Sequence, residues 1–339
     1  GEVTKQTYRK STWEYMRKNG VSSFPTKTYR RGPSIPNFVD ADKAAQRLCE
    51  LQEFKDAKVI KVNPDKSQEP LRILALDAGK EIVIPIPRLE SGLFVHLKPS
   101  TDDKIDNKAL LAKRDLEKYG QVLGIDSQIK IDLVVMGSVC VSKLGQRIGN
   151  GQGFGDLEFA MLMRMGAVNK DTIVITTVHD CQVVDSFEST IFEKHDVPVD
   201  IIVTPTQTIV VSNRLEKPEG IFWDSLTARR IESMHILQEF KNLDEKEGKD
   251  VTVKPEEVRE RRPRRTFDKK NSRKSRDKKR AKSKDTDVKT DGEQKNEAKS
   301  DTDGNKDQES RRNKRTTKKG RPRPKKTETS DSPESPVKE

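Results

Sequence analysis

Residues 132–165 read DLVVMGSVCVSKLGQRIGNGQGFGDLEFAMLMRM, and this stretch decides the fold. The continuous apolar run at residues 133–141 has the composition of a strand that is buried on both faces. A glycine-rich loop follows it, and a helix is predicted from about Leu157. A buried strand that leads through a tight loop into a helix is typical of α/β proteins with parallel sheets.

The chain on either side of this stretch continues the alternation of helices and strands. Apolar residues spaced for one helix face predict helices at residues 5–18, 41–54 and 224–240. Short apolar runs predict strands at residues 82–86, 173–178, 201–204 and 208–211. The pattern therefore predicts an α/β fold with a mostly parallel sheet.

Charge divides the chain into two parts. The net charge is +12, but residues 251–339 hold 31 Lys and Arg against 18 Asp and Glu, a net +13, which leaves residues 1–250 at −1. This last segment has one aromatic residue, Phe267, and too little apolar surface to offset the entropy of ordering it. We predict a folded domain at residues 1–245 and a disordered Lys/Arg-rich tail at residues 246–339.

Composition excludes several classes of protein. No stretch approaches the roughly 18 apolar residues of a membrane span, and the N-terminus lacks the apolar core of a signal peptide. Three cysteines are too few and too far apart for a disulfide framework or a CxxC zinc site. We expect a cytoplasmic protein without a membrane partner. The basic blocks of the tail also suit nuclear import.

The glycine-rich loop carries the strongest chemical signal in the chain. Alternating glycines allow backbone N–H groups to approach an anion, and the N-terminus of the following helix adds a favourable partial charge. Arg147 would add a bidentate phosphate contact. The loop lacks the GK[ST] of a Walker A motif and the GxGxxG register of a dinucleotide fold. Its alternating glycines are Gly149, Gly151, Gly153 and Gly155.

Asp156 stands at the start of the helix that follows the loop. Its carboxylate is placed either to cap that helix or to hold a Mg²⁺ bound to phosphate oxygens. A tight strand-to-helix connection without any ligand would explain the same spacing, and the spacing alone leaves these interpretations open. The match of residues 152–159 to the RNP1 pattern of an RNA-recognition domain is poor, because Gln152 replaces a cation and Asp156 replaces an aromatic residue.

Taken together, several motifs resemble the 5-formyltetrahydrofolate cyclo-ligase (methenyltetrahydrofolate synthetase) family over roughly residues 3–245. They are Lys5 and Arg9 on the first helix, PIPR at residues 85–88, DLVVMGSV running into RIGNGQGFGD, and VDIIVTP at residues 199–205. VHDCQVVD at residues 178–185 resembles a divergent branch of that family, whose members contain a methenyltetrahydrofolate synthetase domain. The resemblance implies a three-layer α/β fold with ATP at the glycine-rich loop.

The resemblance also implies an activity. Enzymes of this family use ATP and Mg²⁺ to convert 5-formyltetrahydrofolate into 5,10-methenyltetrahydrofolate. Carried over to this chain, Lys5 and Arg9 would meet the ATP phosphates from the first helix. Arg147 and the backbone of residues 149–153 would line the triphosphate, and Asp156 would hold the Mg²⁺.

Two departures from the family loop bear on that activity. The enzymes carry a loop of the form R-x-G-R-G-K-G-Y-Y-D, and here its second Arg is Asn150 and its Lys is Gln152. The loss of one donor aimed at developing charge can cost about 10²–10³ in rate. We therefore expect a divergent, non-catalytic or weakly catalytic member that retains ATP and a folate at most as ligands. The alternative is an active ATP-dependent cyclo-ligase.

The basic tail predicts contact with RNA. Dense Arg and Lys blocks can neutralise many phosphates at once, with a steep dependence on salt. RNA is the polymer that the resemblance implies, because vertebrate members of the branch carry an RNA-recognition domain after the cyclo-ligase domain. A solvated tail without a specific partner is the alternative. The candidate contact residues are Arg261, Arg262, Arg264, Arg265, Arg273, Lys274, Arg276, Lys278, Lys279, Arg280, Arg311, Arg312, Lys314 and Arg315.

Overall fold

A computed structural model describes residues 1–22, 34–89 and 92–257 of the chain. The helices in these residues are α1 Lys5–Lys18, α2 Ala41–Cys49, α3 Gln52–Asp56, α4 Glu69–Asp77, α5 Asn107–Leu110, α6 Leu116–Tyr119, α7 Phe154–Met165, α8 Ala228–Glu232 and α9 His235–Lys246. The strands are β1 Val59–Val62, β2 Glu81–Pro85, β3 Phe94–Leu97, β4 Gln121–Leu123, β5 Leu133–Met136, β6 Cys140–Ser142, β7 Arg147–Ile148, β8 Ile173–Thr177, β9 Val183–Val184, β10 Ile201–Val203 and β11 Thr208–Val210.

Most strands of the described residues form one sheet of eight, in the order β11-β10-β8-β5-β1-β2-β3-β4. The five central strands, from β10 to β2, run parallel to one another. The strands at both edges, β11 on one side and β3 and β4 on the other, pair antiparallel. The predicted mostly parallel α/β sheet is therefore confirmed.

Helices cover both faces of this sheet. Successive residues of a strand point to opposite faces, and β5 shows the result: Val134 packs in the cluster that contains α7 and α9, whereas Leu133 packs in the cluster that contains α2 and α4. The apolar runs of the central strands are thus buried on both sides, which gives the three layers that the family resemblance implies.

The single strand predicted at residues 133–141 is wrong, because the chain turns between Met136 and Cys140. The first half is β5 of the large sheet, and the second half is β6 of a separate sheet of three strands, ordered β7-β6-β9. At the turn, a Cβ on Gly137 would lie 2.3 Å from Asp65 Oδ2. Glycine is needed here because the Asp65 carboxylate approaches the backbone so closely.

Two predicted helices are each divided in the structure. The helix expected at residues 41–54 becomes α2 and α3, because Leu51 adopts an extended backbone. The helix expected at residues 224–240 becomes α8 and α9, because Met234 is extended and its side chain is buried in the core. Helix periodicity continued across both interruptions, so the sequence pattern did not reveal them.

The described chain continues along the body beyond residue 245. The main-chain N–H of Lys254 donates to Leu226 O at 2.8 Å, and Val251 and Val253 pack against the core. The predicted boundary at residues 245/246 stays a prediction, and the tail from residue 258 onward, with its predicted disorder, lies outside the described residues. None of the helices in the described part of the chain has the length and apolar character needed to cross a bilayer.

Candidate functional site

The glycine-rich loop, residues 149–153, connects β7 to α7. Gly151 and Gly153 have φ values of +94° and +75°, in the left-handed region where other residues are strained. A Cβ on Gly151 would also lie 3.2 Å from the guanidinium carbon of Arg9. Glycine is thus required by the turn, and it leaves room for the close approach of a cation. Because Gly153 forms the turn, the helix begins at Phe154, three residues earlier than expected.

Three cations from the sequence analysis surround this loop, and we call the surface that they form with it the N-terminal wall. Lys5 on α1 places its Nζ 2.6 Å from Asp196 Oδ2. Arg9, one turn further along α1, donates from Nε to Gly149 O at 2.7 Å. Arg147 extends from β7 and is the third cation. Cations from two parts of the chain, α1 and β7, therefore converge on the loop.

Arg147 is buried and holds the neighbouring chain in place. Its Nε and Nη2 donate to Gly137 O at 3.0 Å and 2.7 Å, and its Nη1 lies 3.5 Å from Asp156 Oδ1. The same Asp156 oxygen accepts the Val197 N–H at 3.0 Å. Burial raises the pKa of Asp156, and the nearby Arg147 charge opposes that rise. Arg147 and Asp156 thus form a partly neutralised pair beside the loop.

The structure separates the two roles that sequence spacing left open for Asp156. No side chain forms a hydrogen bond at the N-terminal cap of α7, so the capping interpretation is wrong, and Asp156 binds the backbone of Val197 instead. Within residues 1–22, 34–89 and 92–257, no group of three or more His, Cys, Asp or Glu is placed to hold a metal ion. A Mg²⁺ at Asp156 would therefore need phosphate oxygens and waters as its remaining ligands.

The other side of the pocket is formed by residues from the segment 221–254, which the sequence analysis did not connect with the site. We call the residues of this segment that line the pocket the C-terminal wall: Ile221, Phe222, Ser225, Leu226, Thr227, Arg230 and Lys254. Arg230 on α8 donates from Nη2 to Gln152 O, and its guanidinium lies 4.7 Å from the centroid of the Phe154 ring. Lys254 also lines the pocket. Arg230 and Lys254 are thus two cations of the pocket that the sequence analysis missed, because no recognisable motif marks their segment.

One local signal for Arg230 was present in the sequence. The Thr227 side chain accepts the Arg230 N–H at 3.2 Å and caps α8, and Thr is a preferred residue at that position. A helix start at Thr227 would have corrected the beginning of the helix expected at residues 224–240, but not its division at Met234. It would not have shown that Arg230 faces the loop, which lies far away in sequence.

The two walls enclose a cavity of about 380 Å³. Five cations face it, Lys5, Arg9, Arg147, Arg230 and Lys254, against two carboxylates, Asp156 and Asp196. Because this excess is positive, the pocket favours an anionic ligand. The structure also brings together in this pocket all the residues predicted to contact ATP or Mg²⁺: Lys5, Arg9, Arg147, Gly149, Gly151, Gly153 and Asp156.

Two buried ion pairs fasten α7, the helix that follows the loop. Lys61 on the central strand β1 places its Nζ 2.8 Å from Glu158 Oε1. Further along α7, Arg164 donates from Nε to Asp244 Oδ1 at 2.5 Å, and Trp223 donates from Nε1 to Asp244 Oδ2 at 2.9 Å. The first pair joins α7 to the sheet, and the second joins it to α9 and the C-terminal wall.

A further acid that the sequence analysis missed is Asp65, just after β1. Burial raises its pKa, and the charge of Arg147 opposes the rise. Its Oδ2 has no hydrogen-bond partner among the described residues. Asp65 does not line the cavity and instead lies close to Gly137. The fourteen tail residues predicted to bind RNA, from Arg261 to Arg315, lie outside the described part of the chain.

Comparison with known proteins confirms the family resemblance. The model of the 5-formyltetrahydrofolate cyclo-ligase family matches residues 3–205. That range contains the N-terminal wall and ends before the C-terminal wall begins. A solved NMR structure of the 5,10-methenyltetrahydrofolate synthetase of Aquifex aeolicus is similar at 18% identity, covering 63% of this chain and 95% of that chain with a TM-score of 0.40.

Curated relatives are similar over a longer range. The methenyltetrahydrofolate synthase domain-containing protein of Bos taurus is 42% identical over 255 residues, which cover 74% of this chain and 66% of the relative. The Homo sapiens protein of the same name is 40% identical over 257 residues, which cover 75% of this chain and 66% of the relative. The matches thus span about two thirds of the length of these relatives. On the family model and these identities, the chain belongs to the 5-formyltetrahydrofolate cyclo-ligase family.

Proposed function

We propose that the body of this protein binds ATP in the pocket between the two walls and turns over a folate substrate weakly or not at all, while the basic tail associates with RNA. The observation that carries the first part is the cluster of five cations around a glycine-rich loop at a helix N-terminus. Membership of a family whose enzymes use ATP supports the choice of nucleotide.

The charged groups of the pocket suit a polyphosphate. Lys5 and Arg147 each lie near a carboxylate, Asp196 and Asp156 respectively. An incoming phosphate can compete for both cations, because charge-assisted bonds to phosphate are about as strong as those to carboxylate. Mg²⁺, when bound with the nucleotide, would neutralise phosphate charge, and Asp156 is the residue that would hold it.

The proposed weakness of turnover rests on the loop itself. Neither Asn150 nor Gln152 carries a charge, and the Asn150 side chain is engaged within the loop, where its Oδ1 accepts the Gln152 N–H at 3.0 Å. Phosphoryl transfer depends on positive charge placed where negative charge develops. A pocket that holds the phosphates from its walls and lacks cations in the loop is suited to binding more than to turnover.

An active cyclo-ligase is the second candidate, and one observation favours it. Arg230 and Lys254 bring two cations into the pocket from outside the range of the family model. If these side chains replace the two missing loop cations in the transition state, turnover would be close to that of a typical family enzyme.

One assay separates these candidates. The full chain is mixed with 5-formyltetrahydrofolate and ATP·Mg²⁺, formation of the methenyl product is followed by its near-ultraviolet absorbance, and a typical family enzyme is the positive control. We expect turnover at least about 100-fold below that control. The double variant Asn150→Arg/Gln152→Lys restores the family cations and should raise the rate. Turnover of the unmodified chain near the control would reject the weakly catalytic assignment.

ATP binding is measured independently of turnover. ATP·Mg²⁺ at 100 times its dissociation constant stabilises the folded state by about 2.7 kcal/mol, which raises the melting temperature of the full chain. Arg147→Gln should reduce this rise. A melting temperature that does not respond to millimolar ATP·Mg²⁺ would exclude the pocket as a nucleotide site.

The RNA part of the proposal is supported by the net +13 of residues 251–339. We expect the full chain to bind single-stranded RNA in fluorescence anisotropy, with an affinity that falls steeply as salt rises. Replacing Arg261, Arg262, Arg264 and Arg265 by Ser should weaken binding and flatten the salt dependence, whereas Arg147→Gln in the pocket should change neither. Equal affinity of the Ser variant at low salt would count against the tail. Cytoplasmic or nuclear residence stays a prediction.

A further inference from the structure

The C-terminal wall is the part of the pocket that the family model does not cover. The model matches residues 3–205, and the residues of the wall come from the segment 221–254. Its contribution to the site therefore cannot be read from the family motif, and has to be argued from the contacts of its own residues.

Arg230 is a charged residue of this wall that forms a hydrogen bond with the loop. Its Nη2 donates to Gln152 O, and a Cβ on Gly153 would lie 4.0 Å from the same nitrogen. The guanidinium stacks over the Phe154 ring at 4.7 Å. The Gln152 carbonyl and the Phe154 ring hold the Arg230 side chain at the end of the loop that leads into α7, and the Thr227 cap positions its helix.

The charge of Arg230 is not neutralised by the described protein. Among residues 1–22, 34–89 and 92–257, no carboxylate forms an ion pair with it, although Lys5 and Arg147 each have one. Half-burial lowers the pKa of Arg230, and no neighbouring acid opposes that effect. A half-buried guanidinium without an anion is costly, and a phosphate in the pocket would supply the missing partner.

The cations also approach the loop at two places. Arg9 binds the carbonyl of Gly149 at the start of the loop, and Arg230 binds the carbonyl of Gln152 near its end. An anion that contacts both cations would lie along the loop between these two contacts. This placement favours a chain of phosphates over a single phosphate group.

We propose that Arg230 is a phosphate-binding residue, contributed by a segment outside the family-matched range, which holds the end of a nucleotide polyphosphate against the glycine-rich loop. The inference rests on the proposed ATP binding and specifies it further. Arg230 supplies from α8 the positive charge that residues 149–153 lack. Its contribution to affinity should therefore grow with the number of phosphates in the ligand.

Binding of ATP, ADP and AMP to the full chain, measured by isothermal titration calorimetry with Mg²⁺ at constant ionic strength, tests this proposal. Arg230→Gln should weaken ATP binding by about tenfold or more, as expected for loss of a charge-assisted bond to phosphate, and should weaken AMP binding much less. The matched control is Arg229→Gln, which removes an exposed Arg from the adjacent position of the same helix. It should leave all three affinities within about twofold of the original.

The outcomes separate the two proposals. If the unmodified chain binds none of the three nucleotides, the proposed function fails and the role of Arg230 fails with it. If ATP binds and Arg230→Gln behaves like Arg229→Gln, nucleotide binding stands and the role of Arg230 is overturned. An equal loss for ATP and AMP would show that Arg230 supports only the shape of the loop, which also overturns the proposal. Arg230→Lys, which keeps the charge, should recover part of the ATP affinity and exclude misfolding as the cause.

Discussion

The two walls of the pocket hold their cations in different ways. In the N-terminal wall, Lys5 and Arg147 are paired with carboxylates, and Arg9 is bound to a backbone carbonyl. In the C-terminal wall, Arg230 has a carbonyl and an aromatic ring but no acid among the described residues. The first wall is organised before a ligand arrives, whereas in the second the described residues leave the charge of Arg230 without an acid.

The ion pairs that fasten the two walls, which we call their anchors, differ as well. Lys61 and Glu158 beneath the N-terminal wall have only 1% and 6% of their side-chain surface exposed. Arg164 at the anchor of the C-terminal wall has 16% exposed, and Asp244 has 4%. The first pair is removed from water, and Lys61 has only the neutral Asn63 as a further partner among the described residues. The second pair is closer to water and shares Asp244 with Trp223. Breaking the first pair should therefore cost more stability than breaking the second.

The largest expected effect is that of Lys61→Met. This change leaves Glu158 buried without its cation, and breaking a buried pair in this way costs about 3–5 kcal/mol. The free energy of unfolding in urea measures the loss. The double variant Lys61→Met/Glu158→Leu removes both charges and should recover most of the stability. A single variant as stable as the original would show that Glu158 is not held by Lys61.

A smaller loss is expected for Asp244→Asn. The amide keeps an acceptor for Trp223 but loses the charged bond to Arg164, which corresponds to about 1.5–3 kcal/mol. Urea unfolding again measures it, with Glu245→Gln as the matched control, because Glu245 is an exposed acid on the same helix. If this ion pair positions the C-terminal wall, Asp244→Asn should also weaken ATP binding. An unchanged ATP affinity would show that the Arg164–Asp244 pair does not influence the pocket.

The pKa values of the acids beside the two walls, Asp244 and Asp156, are shifted in opposite directions. Burial favours a higher pKa for Asp244, but hydrogen bonds from Arg164 and Trp223 outweigh it and lower the pKa, whereas burial raises the pKa of Asp156. Asp244 therefore contributes stability above the ordinary aspartate pKa of about 3.9, and this contribution is lost as pH falls through the lowered value. Asp156 gains a proton in the folded state as pH falls through its raised value, so stability rises there.

Unfolding measured between pH 7 and pH 3 tests these signs. The stability advantage of the original chain over Asp244→Asn should shrink as the pH falls below about 4. Its stability relative to Asp156→Asn should increase as the pH falls toward 4. The same trend with pH in both comparisons would contradict the electrostatic difference between the walls.

The smallest effect is expected for Lys254→Gln. The Lys254 side chain is 51% exposed, so water and salt screen its charge, and exposed charge contacts are worth about 0.2–1 kcal/mol. ATP affinity should fall about two- to threefold at low salt and less at high salt. Lys246→Gln, an exposed Lys at the end of α9, is the control. A tenfold loss of ATP affinity in Lys254→Gln would show that Lys254, and not only Arg230, is a main phosphate contact of this wall.

The sequence by itself determined the α/β class and the glycine-rich loop, whereas the convergence of Lys5 and Arg9 on that loop was implied only by the family resemblance. The class and the loop rest on local information: continuous apolar runs for buried strands, a helix pattern confirmed at Lys5–Lys18, and a loop in which Gly151 and Gly153 need left-handed backbone. Residues that are close along the chain constrain one another through backbone sterics and side-chain period, and these effects can be read without a structure.

Only the tertiary structure decided the C-terminal wall. Arg230 and Gln152 are 78 residues apart, and their contact depends on where α8 ends, on the burial of Met234 and on the Asp244 anchor. The need for glycine at position 137 likewise comes from the close approach of Asp65, which follows β1 and is far away in sequence. Such contacts are set by how the layers pack, and no period or spacing within one segment encodes them.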